Sequence, residues 1–412
     1  MAEKRPIILV TGANSGVGFG VCHRLLVQLS QKSPPDASPK AQKYPIASPD
    51  NEISPFLPVD GLTLILACRN AQRAETARSN LYKLIDDELA RRDTPHGRAF
   101  RKNLEIEIVS LDLSSVESVF AFPYITHLVL NAGIGNFIGI NWPLAVWEIC
   151  TRFKTAVTSP GFKIQGTGKT SQDGLGWVWQ CNVFGHFVLV RALREMLAHN
   201  PFSSSRVLWT SSIEGRPSFF PGLDDYQLLS ASHSYEASKY ETELIASGLD
   251  QLESERNNGV RHLVVHPGIA GTNIFFEHTG WFLDKLMLLA FYIARLLGSK
   301  HHPIQPYKAA ISAVHVALVS LAILPSLSAA GTTNEKSGQP PEGVSNGNGH
   351  TDAISRAEDY SPVRYGAEAS IFGTEYVGVQ PVEGYEEHRE VGKELVARCN
   401  RLYNAFEKKF MM

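Results

Sequence analysis

The chain has 412 residues, 43% of them hydrophobic, and a formal net charge of −2. That length and apolar content can bury a sizeable core. The near-neutral charge excludes the basic field that nucleic-acid binding requires. The five cysteines (Cys22, Cys68, Cys150, Cys181 and Cys399) are odd in number and form no CxxC pair, which argues against a disulfide framework and a structural zinc site. Residues 1–6 are polar and carry no secretory leader, so a reducing, cytosolic setting is expected.

The first apolar run, 6–11, predicts a strand. It ends in Gly12, Ala13, Asn14, Ser15, Gly16, Val17 and Gly18, and a helical pattern follows at once. Glycines at a strand-to-helix turn let the backbone approach a pyrophosphate, and the helix N-terminus offers free N–H groups and a positive dipole end. Residues 31–60 are rich in Pro, Ser and Asp and read as a surface loop. A second strand at 62–67 leads to Arg69. A dinucleotide site for NAD places an acid near this point. Arginine there suits a 2′-phosphate instead, so NADPH is the expected cofactor.

The third strand, 104–111, ends at Asp112, which is placed either to bond the adenine amine or to cap a helix over 114–122. The fourth, 126–130, ends in Asn131, Ala132 and Gly133, which are expected to border the cofactor. An insertion over 134–176 follows, where ligands bind in this architecture. Asn182 stands on the helix after it, placed to hold a proton-relaying water for Lys239. A fifth strand, 206–210, ends at Ser211 and Ser212; the Ser212 hydroxyl is the one expected to bond a carbonyl oxygen. A sixth, 261–266, ends at His266, Pro267 and Gly268, followed by Thr272, whose segment is expected to cover a nicotinamide amide.

Strands alternating with helices predict an α/β fold, a doubly wound parallel sheet (Rossmann fold) in a single domain with surface insertions, spanning 1–328. The stretches 281–297 and 309–324 are shorter or more charged than a bilayer span and read as buried or half-buried helices. The first of them is rich in aromatic and aliphatic residues and is expected to line an apolar pocket or to lean on a membrane surface. Residues 329–361 read as a disordered insert. The chain closes over 362–412 with one strand, 374–380, and an amphipathic helix, 385–408. The histidines lack metal spacing, His301 and His302 read as a solvated turn, and no metal is expected.

Tyr235 and Lys239 share one helix face at i and i+4. A free tyrosine titrates near 10 and is a poor acid–base group at neutral pH. A neighbouring ammonium and a positively charged nicotinamide would pull it down and let Tyr235 give its proton to a ketone oxygen. Lys239 can also hold the nicotinamide ribose. Tyr235, Lys239, Ser212 and Asn182 are therefore the candidate catalytic residues.

TGANSGVG at 11–18, NAG at 131–133, Asn182, the serine pair, YEASK at 235–239 and PG at 267–268 resemble the short-chain dehydrogenase/reductase family, in family order over roughly 6–320. The inserts NAGIGNFIGINWPLAVWE and FKIQGTGKTSQDGLGWVWQCNVFGHF, with the long connection from Ser212 to Tyr235, are similar to fungal 3-keto-sterol reductases. That resemblance implies NADPH-dependent reduction of a 3-keto-sterol to the 3β-alcohol in ergosterol biosynthesis. It also implies a peripheral place on the cytosolic face of the endoplasmic reticulum or a lipid droplet, beside the other sterol C4-demethylation enzymes. The alternatives are a ketoreductase of secondary metabolism acting on another hydrophobic ketone, and a non-catalytic NADP-sensing protein.

Overall fold

Residues 5–38, 59–113, 124–202, 204–271, 280–321, 324 and 361–411 are described by a computed structural model. Among these residues ten strands form: β1 (Ile7–Thr11), β2 (Leu62–Cys68), β3 (Leu104–Ser110), β4 (His127–Leu130), β5 (Phe137–Ile140), β6 (Lys163–Gln165), β7 (Ser205–Thr210), β8 (Val260–His266), β9 (Val363–Ala369) and β10 (Glu375–Pro381). Eight of them make one sheet in the order β10-β9-β8-β7-β4-β1-β2-β3. Every pairing from β3 to β9 is parallel; only β10 runs antiparallel, at the edge. The chain runs outward from β1 through β2 and β3, then returns to β4 on the other side of β1, so the winding reverses between β1 and β4. Ligands of open α/β sheets bind outside the carboxyl ends of the strands at that reversal.

Side chains alternate across each strand and feed two cores. Ile8, Val10, Leu64, Leu66 and Leu208 pack against helix α1 (Gly16–Leu29), helix α2 (Ala71–Arg91) and the helix Ile311–Leu318. Leu9, Ile65, Leu128, Leu130 and Trp209 pack on the other face against the helices Gly185–Ala192, Ser234–Arg256 and Tyr385–Met411. A sheet with helices on both faces is the doubly wound fold expected from the apolar runs.

Three expectations are corrected and one is extended. The terminal region 362–412 holds two strands, not one. β9 escapes an apolar reading because Arg364 and Glu368 interrupt it, yet both are buried, Arg364 against Glu243 at 3.1 Å and Glu368 against Lys300 at 2.8 Å. The start of the 31–60 segment packs inward: Asp36 is buried, its carboxylate accepts from the Arg24 guanidinium at 2.9 Å, and its N–H donates to the Gln28 side-chain oxygen at 2.9 Å. The insertion over 134–176 carries an antiparallel hairpin, β5 with β6. His302 is buried and bonds Ser299 rather than facing solvent.

The helix Ile311–Leu318 is buried throughout, and Gly280–Leu296 is half exposed. Among the described residues no helix is long and apolar enough to cross a membrane. Four cysteines are buried and Cys150 is exposed, all of them free. Thr272, the possible helix at 114–122 and the 329–360 tract lie outside the described residues.

Candidate active site

The turn after β1 is made of backbone. Gly12 and Gly16 have φ of +66° and +53°, a region other residues rarely enter. A Cβ on Gly18 would lie 2.4 Å from the Gly12 carbonyl oxygen and 2.6 Å from Asn131 Nδ2, so only glycine fits. The Gly12 N–H donates to Ala67 O at 2.9 Å, which sets the turn beside the end of β2. Arg69 is exposed two residues on, and Asn70 caps α2 by accepting from Arg73 N. Ser15 is the N-cap of α1 but its side chain makes no capping bond, and no acidic residue stands in the first turn. The helix end therefore keeps its positive character and its open donors. Burial and then Asp112 push the Cys181 thiol up, and Arg69 opposes them.

Behind the turn lies a buried relay of neutral groups. Thr11 Oγ1 accepts from Asn131 N and Ala132 N, both at 2.9 Å, and donates to His186 Nε2 at 3.2 Å. His186 Nδ1 donates to Asn182 O at 3.1 Å, which fixes the tautomer, since a carbonyl can only accept. Burial holds the imidazole down to about 3 and keeps it neutral. The helix is widened into a π turn over Gln180–Phe184, a feature common at functional sites. The Asn182 side chain takes the Ile134 N–H at 2.8 Å and donates to Ile134 O and Ser238 Oγ, both at 2.9 Å. It clamps the first residue of the insertion. A Cβ built on Gly133 would meet Asn182 Oδ1 at 3.3 Å and Lys239 Nζ at 3.4 Å, so the three residues converge.

Tyr235 stands in the first turn of the helix Ser234–Arg256. Ser212 acts on its phenol and favours ionisation. The two consecutive serines point opposite ways. Ser212 Oγ accepts from Glu214 N at 3.2 Å and faces the phenol, whereas Ser211 donates to Glu243 at 2.6 Å on the far side. Lys239 lies with Nζ 5.9 Å from the Tyr235 ring centroid and donates to Thr210 O at 2.8 Å. Pro267 and Gly268 follow β8 at the same edge, Gly268 with φ of +63°. The sheet edge thus gathers the glycine turn, Arg69, Asp112, Asn131, Asn182, Ser212, Tyr235, Lys239 and Gly268. Among the described residues no group of His, Cys, Asp or Glu is placed to hold a metal.

The chain is 32% identical over 322 residues to the 3-keto-steroid reductase erg27 of Schizosaccharomyces pombe, covering 76% of this chain and 82% of that protein. It is 31% identical to that of Aspergillus fumigatus, over 77% of this chain and 74% of the relative. It belongs to the 3-keto-steroid reductase family. As a member of that family the reductase is an oxidoreductase. No family model matches it. Among solved structures, salutaridine reductase from Papaver somniferum overlays with a TM-score of 0.45 at 14% identity, over 76% of this chain and 96% of that one. L-sorbose reductase from Gluconobacter frateurii, solved with NADPH and L-sorbose, overlays with a TM-score of 0.42 at 15% identity, over 76% and 90%. Likenesses at that level add nothing to the family assignment.

The electrostatics of the reductase differ from the sequence expectation at Tyr235. Its phenol is pushed up, first by burial and then by the Glu214 and Glu236 carboxylates, and only Ser212 pulls it down. Burial lowers Lys239 to about 8. The carboxylates had no sequence signal as site residues. Nor did Lys163, which binds both of them, or Gln165, whose side-chain oxygen accepts from Tyr235 N at 2.9 Å. Phe137, 5.6 Å from the Tyr235 ring, was also missed. All three lie on the unforeseen hairpin. The buried His186 link had no sequence signal as a site residue.

Proposed function

We propose that this reductase converts the 3-ketone of a sterol to the 3β-alcohol with NADPH, in the C4-demethylation stage of ergosterol synthesis and beside the other enzymes of that stage. The observation that carries the chemistry is the convergence of Asn182 Oδ1 and Lys239 Nζ at Gly133, with the same Nζ 5.9 Å from the Tyr235 ring, at the edge where the glycine turn opens. The residues fit the cofactor. The positive-φ glycines and the uncapped start of α1 suit a pyrophosphate held by Gly12, Asn14, Ser15, Gly16, Val17 and Gly18. Exposed Arg69 suits a 2′-phosphate, and Asp112 the adenine. Asn131, Ala132, Gly133, Pro267 and Gly268 would border the nicotinamide end, and Lys239 would hold its ribose. When bound, the cofactor supplies the hydride.

The chain's own residues do the rest. Tyr235 gives its phenolic proton to the ketone oxygen. Ser212, its lone pair already engaged by Glu214 N, turns its O–H toward that oxygen and positions it. Asn182 holds Ile134, and with it the floor of the insertion, against the helix that carries Lys239.

A sterol is almost wholly apolar, and a membrane-surface location fits the exposed residues. Trp142, Val146, Trp147 and Ile149 project from the helix Trp142–Thr151, and Leu286, Leu289, Ile293 and Leu296 from Gly280–Leu296. The short helix Phe153–Thr158 lies against both. Indoles and aliphatic side chains in one exposed zone suit an interface between water and lipid. This supports peripheral attachment on the cytosolic face of the endoplasmic reticulum or a lipid droplet.

The test is NADPH oxidation by the purified chain with a 3-keto-steroid, with the product's C3 configuration determined. A 3β-alcohol is expected. No turnover of 3-keto-steroids beside brisk turnover of other apolar ketones would overturn the substrate. Substituting Trp142 and Leu289 with Glu should release the protein from phospholipid vesicles; undiminished binding would overturn the membrane reading.

A further inference from the structure

Two lysines flank the Tyr235 ring, each with Nζ 5.9 Å from its centroid. Lys239 reaches a backbone carbonyl. Lys163, on β6, is buried with Nζ 2.6 and 2.8 Å from the Glu214 carboxylate oxygens and 2.9 Å from Glu236. Both carboxylates are buried as well. Within this group one ammonium faces two carboxylates, a net charge of −1, while Lys239 sets its own ammonium beside the ring. Gln165 ties the group to the tyrosine: its amide donates to Glu236 and its oxygen accepts from Tyr235 N. Three buried charges cost desolvation that apolar residues would avoid while fastening the hairpin equally well. Their placement around one tyrosine therefore asks for a role there.

We propose that Lys163, Glu214 and Glu236 are positioning residues for Tyr235, fastening the hairpin to its helix and, through their net negative charge, keeping the phenol protonated to higher pH than Lys239 alone would allow. A protonated phenol is the form that can give its proton to a ketone, leaving a phenolate. The idea rests on the reading of Tyr235 as proton donor. The charged and polar groups around the ring act in two directions. Glu236 on its own helix and Glu214 after β7 oppose ionisation, and Ser212 favours it. Lys163 on β6 restrains both carboxylates, Arg216 acts on Glu214, and His233 stands 3.9 Å from Glu236.

The experiment is the pH profile of kcat for NADPH-dependent reduction of a 3-keto-steroid by the full chain. Glu214→Gln keeps size and removes one negative charge. The alkaline limb should move down by about one pH unit, as removal of a nearby charge implies. Glu236→Gln should act in the same direction, which guards against one variant failing to fold. Lys163→Met with Glu214→Gln restores the net charge and should return the limb towards its native position. A limb that stays in place in both glutamine variants, or a change in KM alone, overturns the proposal. Tyrosinate absorbance gives a substrate-free readout: the titration absent from Tyr235→Phe should shift down in Glu214→Gln, and an unmoved titration overturns the proposal too. If that titration moves while no 3-keto-steroid is reduced, the substrate reading fails and the positioning role stands.

Discussion

The turn after β1 and the ground beneath Tyr235 face the same sheet edge but are built from different materials. The turn is backbone: glycines at positive φ, an uncapped helix end and no acid in its first turn. Around Tyr235 the structure buries Lys163, Lys239, Glu214 and Glu236. The first region is specified by shape, so an added methyl group is enough to damage it. The second is specified by charge, so a substitution that keeps shape and alters protonation is the damaging one.

The largest expected effect breaks the second region. Tyr235→Phe keeps the ring against Phe137 and removes the proton, so kcat should fall about 10²- to 10⁴-fold, the usual range for general acid catalysis. NADPH affinity, read by fluorescence titration, should change little. Gly18→Ala attacks the first region. Its Cβ meets backbone at 2.4 Å, and the resulting shift should cost about 1–3 kcal/mol in thermal unfolding and weaken NADPH binding. A native-like variant would show that the turn has slack. Arg69→Asp sharpens the comparison by adding a charge where shape rules. It should shift the ratio of kcat/KM for NADPH over NADH about tenfold towards NADH, the scale of one charge-assisted hydrogen bond. Equal use of both cofactors by the native enzyme would remove Arg69 as a selector.

The smallest effect is on pH. Burial holds His186 down to about 3 and His262 and His315 to about 4, below the ordinary 6.5. The unfolded chain takes up protons below about 6.5 that the folded chain refuses, so stability is full above that pH and is lost as pH falls towards the folded values. The thermal midpoint should drop between pH 7 and 5, with a shallower drop in His186→Gln. Equal slopes would exclude His186.

Much of the sheet was legible because β1, β2 and β4 are nearly continuous apolar runs, and the glycine turn and YxxxK because their spacing is local. What escaped were buried charges. Arg364 and Glu368 concealed β9, Asp36 passed as a loop residue, and Lys163 passed as part of a mixed insertion. Most are buried by a partner far along the chain, Lys163 and Glu214 being 51 residues apart and Arg364 and Glu243 121. Sequence periodicity assigns charge to solvent and has no means to see such pairs. The same blindness applied to Tyr235: its helix neighbour Lys239 was in view, and the opposing carboxylate Glu214 was not.

Arg24 on α1 binds Asp36 at 2.9 Å and Glu375 of β10 at 2.9 Å, and its guanidinium lies 4.9 Å from the Tyr307 ring centroid. The helix that opens at the glycine turn is therefore anchored to the far end of the polypeptide. Residues 361–411 are an integral wall of the domain, adding β9, β10 and the helix Tyr385–Met411 to it. Supplied as two separate polypeptides, 1–324 and 361–412 should find each other and rebuild the enzyme, and the larger one alone should lack a firm seat for its dinucleotide.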